Sequence, residues 1–187
     1  MAAHEYMTYE EFGRKFYEFA VTDERVGGAI AEIAGDAFEI GPIAQGPGKI
    51  AKVTAKVQVQ EPKVTRHVGE MITFAIKIPL EIDMVVDLRI DKPRFVVYGE
   101  IALRASALAA EPLLLILDVK KPRPSDITIH VTSKTLRAEV VRIIGGIDAE
   151  VKRFIAAHVA GEIDSPASQQ AQVINVAEMI DESWTGI

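Results

Sequence analysis

From residue 71 to 90 the chain reads MITFAIKIPLEIDMVVDLRI. Every even position is apolar, from Ile72 and Phe74 to Leu88 and Ile90, while Thr73, Lys77, Glu81, Asp83, Asp87 and Arg89 take odd positions. A period of two means extended backbone with one face buried. At roughly 3.3 Å per residue the stretch would span on the order of 60 Å, about three times a usual strand. A strand of that length predicts a sheet that curls round something. Pro79 falls on the outward face and lacks a ladder donor, so it marks an edge, a bulge or a bend, where curvature is expected.

Other segments take their place around this one. Residues 8–34 predict two short amphipathic helices. Thr8 followed by Glu10 and Glu11 is a capping residue with acids in the first turn, and Thr22–Asp23 is a second N-cap. Phe12, Phe16 and Phe19 recur at helical spacing, as do Val26, Ile30 and Ile33. The aromatic trio either packs on a sheet or closes one end of a cavity. After Asp36 a short strand over 37–43 runs into the turn Gln45-Gly46-Pro47-Gly48. Next, Ala51, Val53, Ala55, Val57 and Val59 alternate with Lys52, Thr54, Lys56, Gln58 and Gln60. Glu61-Pro62 breaks that strand, and a connection through His67 and Gly69 leads to the long one.

Beyond the turn at Pro93, Phe95, Val97, Gly99, Ile101 and Leu103 share a face, and the glycine predicts a bend or a close backbone approach. The run over 113–119 is apolar on both faces, with Leu113, Leu115, Leu117 and Val119 on one and Leu114 and Ile116 on the other. Such a strand is buried twice or meets a partner. Ile127, Ile129 and Val131 form the last of about six antiparallel strands. From Ser133, an N-cap candidate, the period returns to 3.6. Leu136, Val140, Ile143, Ile144, Ile147, Val151, Phe154, Ile155 and Val159 share a stripe that favours one long helix through Gly145-Gly146, bent and closely approached at the pair, with two helices and an N-cap at Asp148 as the alternative. Residues 165–172 read as a polar, mobile linker, and 173–184 as a final amphipathic segment that caps the sheet or packs on a second copy.

Candidate chemistry is sparse. The four histidines His4, His67, His130 and His158 show no metal-ligand spacing, and the chain has no cysteine. No Gly-x-Ser-x-Gly elbow occurs, and the Gly-rich stretch 41–48 lacks the lysine placement, hydroxyl and following helix of a phosphate loop. Glu81, Asp83 and Asp87 read as a solvated stripe. No cofactor and no metal are implied. A net charge of −6 weighs against nucleic acid. Lys49, Lys52, Lys56, Lys63 and Arg66, with Lys120, Lys121 and Arg123, concentrate positive charge locally. They leave an anionic headgroup, a phosphopantetheine-type carrier or a peripheral membrane contact open, beside the plain reading as solvated strand faces. The start has no cationic segment leading into an apolar core, no run is long enough to span a membrane, and Met7 is an alternative start. The expected compartment is cytoplasmic.

The stretch Ile76-Lys77-Ile78-Pro79-Leu80-Glu81-Ile82, the strand after Pro93 and the helix over 136–159 resemble the tubular lipid-binding (TULIP) superfamily, in particular its actinobacterial domains of unknown function. The likeness is one of pattern, covers about 8–162 and transfers no catalytic residue. It implies an α+β fold, with a long, strongly curved antiparallel sheet wrapped around a long C-terminal helix and lipid carried in the groove. The rival is the helix-grip fold of START and polyketide-cyclase-like proteins, which begins with a strand where this chain begins helical.

The expected organisation is a flexible N-terminus over 1–7, one lipid-binding-like domain over 8–163, and a linker with an amphipathic tail over 164–187. The expected function is non-catalytic binding of a lipid or other long hydrophobic molecule. Its lining would be Phe74, Ile76, Ile78, Ile82, Phe95, Val97, Leu115, Ile143, Ile147, Val151 and Phe154, with Lys52 and Lys56 at the headgroup. One alternative is a cyclase or isomerase acting on a hydrophobic metabolite through an inward His67 or His158. Another is an assembly protein that forms a homodimer through 173–184 and 113–119.

Overall fold

The predicted alternation becomes strand β4 (Ile72–Asp87), sixteen residues long, in a computed structural model that describes residues 4–45, 47–49, 51–131 and 138–185. Its even residues from Ile72 to Val86 are all buried, and its odd residues are half-buried or exposed. The strand stops short of the expected end. Arg89 takes a left-handed φ of 69°, Leu88 N donates to Asp91 O at 3.0 Å, and Ile90 is left exposed. β5 (Arg94–Ala110) returns antiparallel over fourteen paired positions, from Val85↔Arg94 to Ile72↔Ala107. Gly99 sits opposite Leu80. A Cβ there would stand 2.9 Å from Thr128 O, so the expected close backbone approach is present.

Each outer edge of this hairpin is lined by two strands in succession. β2 (Ala51–Val59) and β3 (Lys63–Val68) both pair with β4, and their registers differ by one residue across Gln60-Glu61-Pro62. Pro79 lies at that break. Its carbonyl accepts from Gln60 N at 2.9 Å, so the donor it lacks also faces the interrupted edge. On the far side β6 (Leu114–Lys120) and β7 (Ile127–His130) both pair with β5, separated by a single 3₁₀ turn at Pro124–Asp126. β1 (Ala37–Gln45) extends the sheet beyond β2, with a bulge between Ile40 and Ile43, and β8 (Val173–Asn175) extends it beyond β6. The result is an eight-stranded antiparallel sheet curled into a half-barrel, so the fold class is α+β as the patterning predicts.

The long helix α3 (Ala138–Asp164) runs unbroken through Gly145-Gly146, where Gln45 Nε2 donates to Gly146 O at 3.5 Å. It packs against β1, β7 and the 3₁₀ turn, and so covers one half of the sheet. α2 (Asp23–Ala34) packs on β3 and α3, burying Val26, Ile30 and Ile33. α1 (Tyr9–Ala20) precedes it. α4 (Pro166–Ala171) and α5 (Val176–Thr185) follow α3.

Several expectations change. Residues 63–68 form a strand where a connection was expected. The polar stretch 165–172 is mostly helix α4, capped by Ser165, with Ser168 buried. The tail is part of the sheet rather than an appendage: β8 pairs with β6, and Val176 N donates to Leu113 O at 3.0 Å. Ser133, Leu136 and Gly46 lie outside the described residues, as do 1–3 of the expected flexible terminus.

Candidate functional site

The expected lining residues belong to the packed core. Phe74, Ile76, Ile78, Ile82, Phe95, Val97, Leu115, Ile147 and Val151 are buried in one continuous hydrophobic cluster, and Ile143 packs half-buried at its rim. Phe154 is the exception, 46% exposed. Its helix shows why. Ile147, Val151, Ile155, Val159 and Ile163 recur at i, i+4, and each step advances the buried stripe by about 40°. Phe154 lies about 100° behind Ile155 and turns to solvent. Lys52 and Lys56 extend from the outer face of β2, opposite Asp87 and Asp83 of β4, on the side of the sheet away from the core. The alternation of β2 puts Ala51, Val53, Ala55 and Val57 inward and so carries both lysines out.

The basic cluster around the β6–β7 turn is internally neutralised. Lys120 pairs with Asp118 at 2.6 Å, Lys121 with Asp164 at 2.7 Å and Arg123 with Asp126 at 3.4 Å. His67 and His130 are exposed, and His158 stacks on Phe38 with ring centres 3.9 Å apart. Ser168 is the polar residue buried as a whole among those whose burial is described, and no group of three His, Asp or Glu among the described residues is placed to hold a metal.

The apolar surface that remains unpacked lies at the other end of the sheet. α1 begins with a full capping box. Glu11 N donates to Thr8 Oγ1 at 3.2 Å, and Thr8 N donates to Glu11 Oε2 at 2.9 Å. These bonds hold the Glu11 carboxyl below the ordinary glutamate range. Its C-terminal carbonyls are held by two guanidinium groups. Arg25 Nη1 donates to Phe19 O and Ala20 O at 2.9 and 3.1 Å. Arg66 Nη1 donates to Glu18 O and Val21 O at 2.8 and 2.9 Å. Arg66 reaches them because it shares the inner face of the sheet with its register partner Phe74. The helix is therefore fixed at one end, yet it contains no buried residue.

Between α1 and the body runs a groove of about 540 Å³. Phe12 and Phe16 form one wall, Leu113, Leu114 and Leu115 the floor, and Val176 and Ile180 of α5 the far wall. None of its lining residues is charged. Leu115 is the one expected lining residue that reaches it. The aromatic trio divides: Phe12 and Phe16 line the groove with rings 6.4 Å apart, while Phe19 lies outside it under Arg25, 5.1 Å from the guanidinium carbon. Tyr17 also lines the groove. Its hydroxyl oxygen is buried with no hydrogen-bond partner among the described residues, and burial pushes its pKa up. A second groove of about 530 Å³ opens on the other side of α1, bounded by Arg14, Glu18 and Glu70 as well as by apolar residues.

The two-faced apolar run over 113–119 was the sequence signal for this site. Leu115, Leu117 and Val119 go to the core, while Leu113 and Leu114 are left to the groove. No family model matches the chain, and no curated protein matches it either.

Proposed function

We propose that the protein binds a long hydrophobic molecule, and that the guest lies in the groove between α1, the β5–β6 end of the sheet and α5. One observation carries this reading: an almost wholly apolar, uncharged groove of about 540 Å³ between elements whose own apolar faces stay apart. That volume falls within the range of roughly 300–1,000 Å³ usual for small-molecule sites. Water in such a groove finds almost no hydrogen-bond partner, so a guest gains about 0.8 kcal/mol for each methylene it buries. The resemblance to tubular lipid-binding proteins favours the same class of guest but would place it beneath the long helix. There Ile78, Ile82 and Ile147 are fully buried against one another's cluster, which favours the groove at α1 instead.

Organic extraction of the purified protein followed by mass spectrometry, with titration of the neutral dye N-phenyl-1-naphthylamine, tests the reading. The expected results are co-purified apolar molecules and dye binding that weakens about tenfold or more in Leu113→Glu. Leu113 is 56% exposed, so that change should leave the fold intact. A protein that yields no extractable guest and does not enhance dye fluorescence overturns it.

A second reading, self-association, is favoured by the exposed Val173 and Ile174 of edge strand β8 and by Met179 and Trp184 of α5. Light scattering on the same samples distinguishes it. Concentration-dependent dimers that exclude the dye support it, and a monomer that binds dye does not.

A further inference from the structure

The interruption between β6 and β7 leaves a hollow of about 390 Å³ on the outer face of the sheet. Lys77, Arg104, Lys120, Lys121 and Arg123 line it, with Asp126 as the one carboxylate of the lining. Strand register explains the space. Ala75 lies opposite Arg104 and Ala102 opposite Lys77, so two alanines take one diagonal of the β4–β5 ladder and two cations the other. All four are exposed on the face away from the core. The alanine methyl groups form a low floor, and the long cationic side chains stand around it.

The same rows set like charges side by side. Arg104 is the register partner of Lys120, and Lys77 that of Lys63. Residues directly opposite in an antiparallel pair have Cβ atoms about 5 Å apart, and like charges there oppose folding. Two such pairs in adjacent rows beside one hollow, in a chain of net charge −6, point to an anion that offsets them. The resident carboxylates do so only in part. Lys77 pairs with Glu100 at 3.3 Å, and Lys120, Lys121 and Arg123 have the partners given above. In each of these pairs the cation is more than half exposed, and exposed pairs hold their partners weakly. Arg104 makes no hydrogen bond or ion pair among the described residues, and only its charge reaches Asp126.

We infer that this hollow is a second binding site, with no lining residue in common with the groove at α1, and that it takes a phosphate-bearing anion with Arg104 as its principal donor. A phosphoryl group offers three oxygens in a tetrahedral array. Two can accept from the guanidinium fork while the third meets Lys77 or Lys120 from another direction. A carboxylate presents two oxygens in one plane, and the four carboxylates already present leave Arg104 without a partner. Those carboxylates also repel any incoming anion. A phosphate monoester or a diphosphate carries enough charge to take the cations from them, and a lone carboxylate does not. The volume lies within the range of roughly 300–1,000 Å³ usual for small-molecule sites. A soluble ester and a lipid headgroup present the same phosphoryl oxygens, and the test separates them.

Calorimetric titration at low ionic strength with pyrophosphate, phenyl phosphate and succinate is the first arm. Sedimentation with phosphatidylcholine vesicles, with and without phosphatidate, is the second. If the ligand is a soluble ester, both phosphates bind about tenfold or more tighter than succinate, and the protein stays in the supernatant. If it is a headgroup, the protein pellets only with vesicles that contain phosphatidate. In either case Arg104→Gln should weaken binding about tenfold. Lys56→Gln makes the same change of charge on the outer face of β2 and should leave binding within about twofold. Both side chains are exposed, so both variants should keep the circular dichroism of the unmodified protein. Failure of the phosphates and of the phosphatidate vesicles to bind overturns the inference. So does succinate binding equal to that of the phosphates, or an equal loss in Arg104→Gln and Lys56→Gln. Dye binding in the groove at α1 is unaffected by any of these results.

Discussion

Thr8 and Glu11 exchange hydrogen bonds at the start of a helix that has no fully buried residue and only packs Phe16, Tyr17 and Ala20 half-buried against the core, and this separates local from global stability. Thr8→Ala removes an N-cap, which costs a helix about 1 kcal/mol. α1 contributes no residue to the core. The expected outcome is faster amide hydrogen exchange over 9–16 with little change in the denaturant midpoint of the whole protein. Acid should act in the same way. Glu11 has a depressed folded pKa, so its contribution is fully present above the ordinary glutamate range and is lost as pH falls through the folded value. Exchange measured on the unmodified protein and on Glu11→Ala at each pH checks this: their difference at neutral pH should shrink on acidification, since the variant has no carboxylate left to accept from Thr8 N. A gap that does not shrink as the pH falls would argue that the Glu11 carboxylate plays no part.

At the scale of elements, α3 and α5 are both amphipathic, but only α3 is seated. α5 touches β6 and leaves Met179, Ile180 and Trp184 exposed. Ending the chain after Gln172 would remove β8 and α5 while keeping the bond from Leu117 N to Gln172 O. The expected result is one cooperative unfolding transition, lowered by about 1–3 kcal/mol for the lost ladder bonds, and at least a tenfold loss of dye affinity. Unchanged dye binding would remove α5 from the groove wall.

The elements that could be read from sequence are those with a single buried face. β4 was legible because its even residues all meet the core, and α1 and α2 because their caps are local chemistry. β3 was not legible. Its two rows, Val64-Arg66-Val68 and Lys63-Thr65-His67, are each at best half-buried, and its inward Arg66 serves helix carbonyls rather than packing. α4 has almost no apolar stripe. Its only sign was Ser165 followed by Pro166, a cap and a first-turn proline. The groove was signalled only by the two-faced run over 113–119, for a different reason. Its walls come from three distant segments, and an apolar residue that lines a groove looks in sequence like one that fills a core.

For the whole molecule, the sheet divides into two halves that share only the β4–β5 hairpin. The break between β2 and β3 faces Ile78 and Pro79 of β4, and the break between β6 and β7 faces Ala102 and Leu103 of β5, whose partners are Lys77 and Ile76. The two interruptions therefore fall within two residues of one line across the sheet. α3 covers the half built with β1, β2 and β7. The other half is covered by α2 and, at its end, by the loosely seated α1 and α5. Stability and binding should accordingly separate in space. Ile147→Ala on the buried face of α3 should cost about 2–5 kcal/mol and leave dye affinity as it was. Leu113→Ala should change stability by less than about 1 kcal/mol and weaken the dye. Urea denaturation and dye titration of the two variants check this, and a reversed pattern would move the site back beneath the long helix.

Pro79 has one more consequence. On β4 the even residues turn their side chains inward, and the odd residues direct their backbone groups toward β2 and β3, as Pro79 does toward Gln60. Sliding β4 by one residue against β5 would require it to rotate half a turn, which would send the row from Ile72 to Val86 into water. The same rotation would aim the proline's missing donor at β5, where the ladder demands one. With both flanking strands interrupted, the hairpin alone fixes the alignment of the two halves, and this proline makes the nearest misalignment doubly unfavourable.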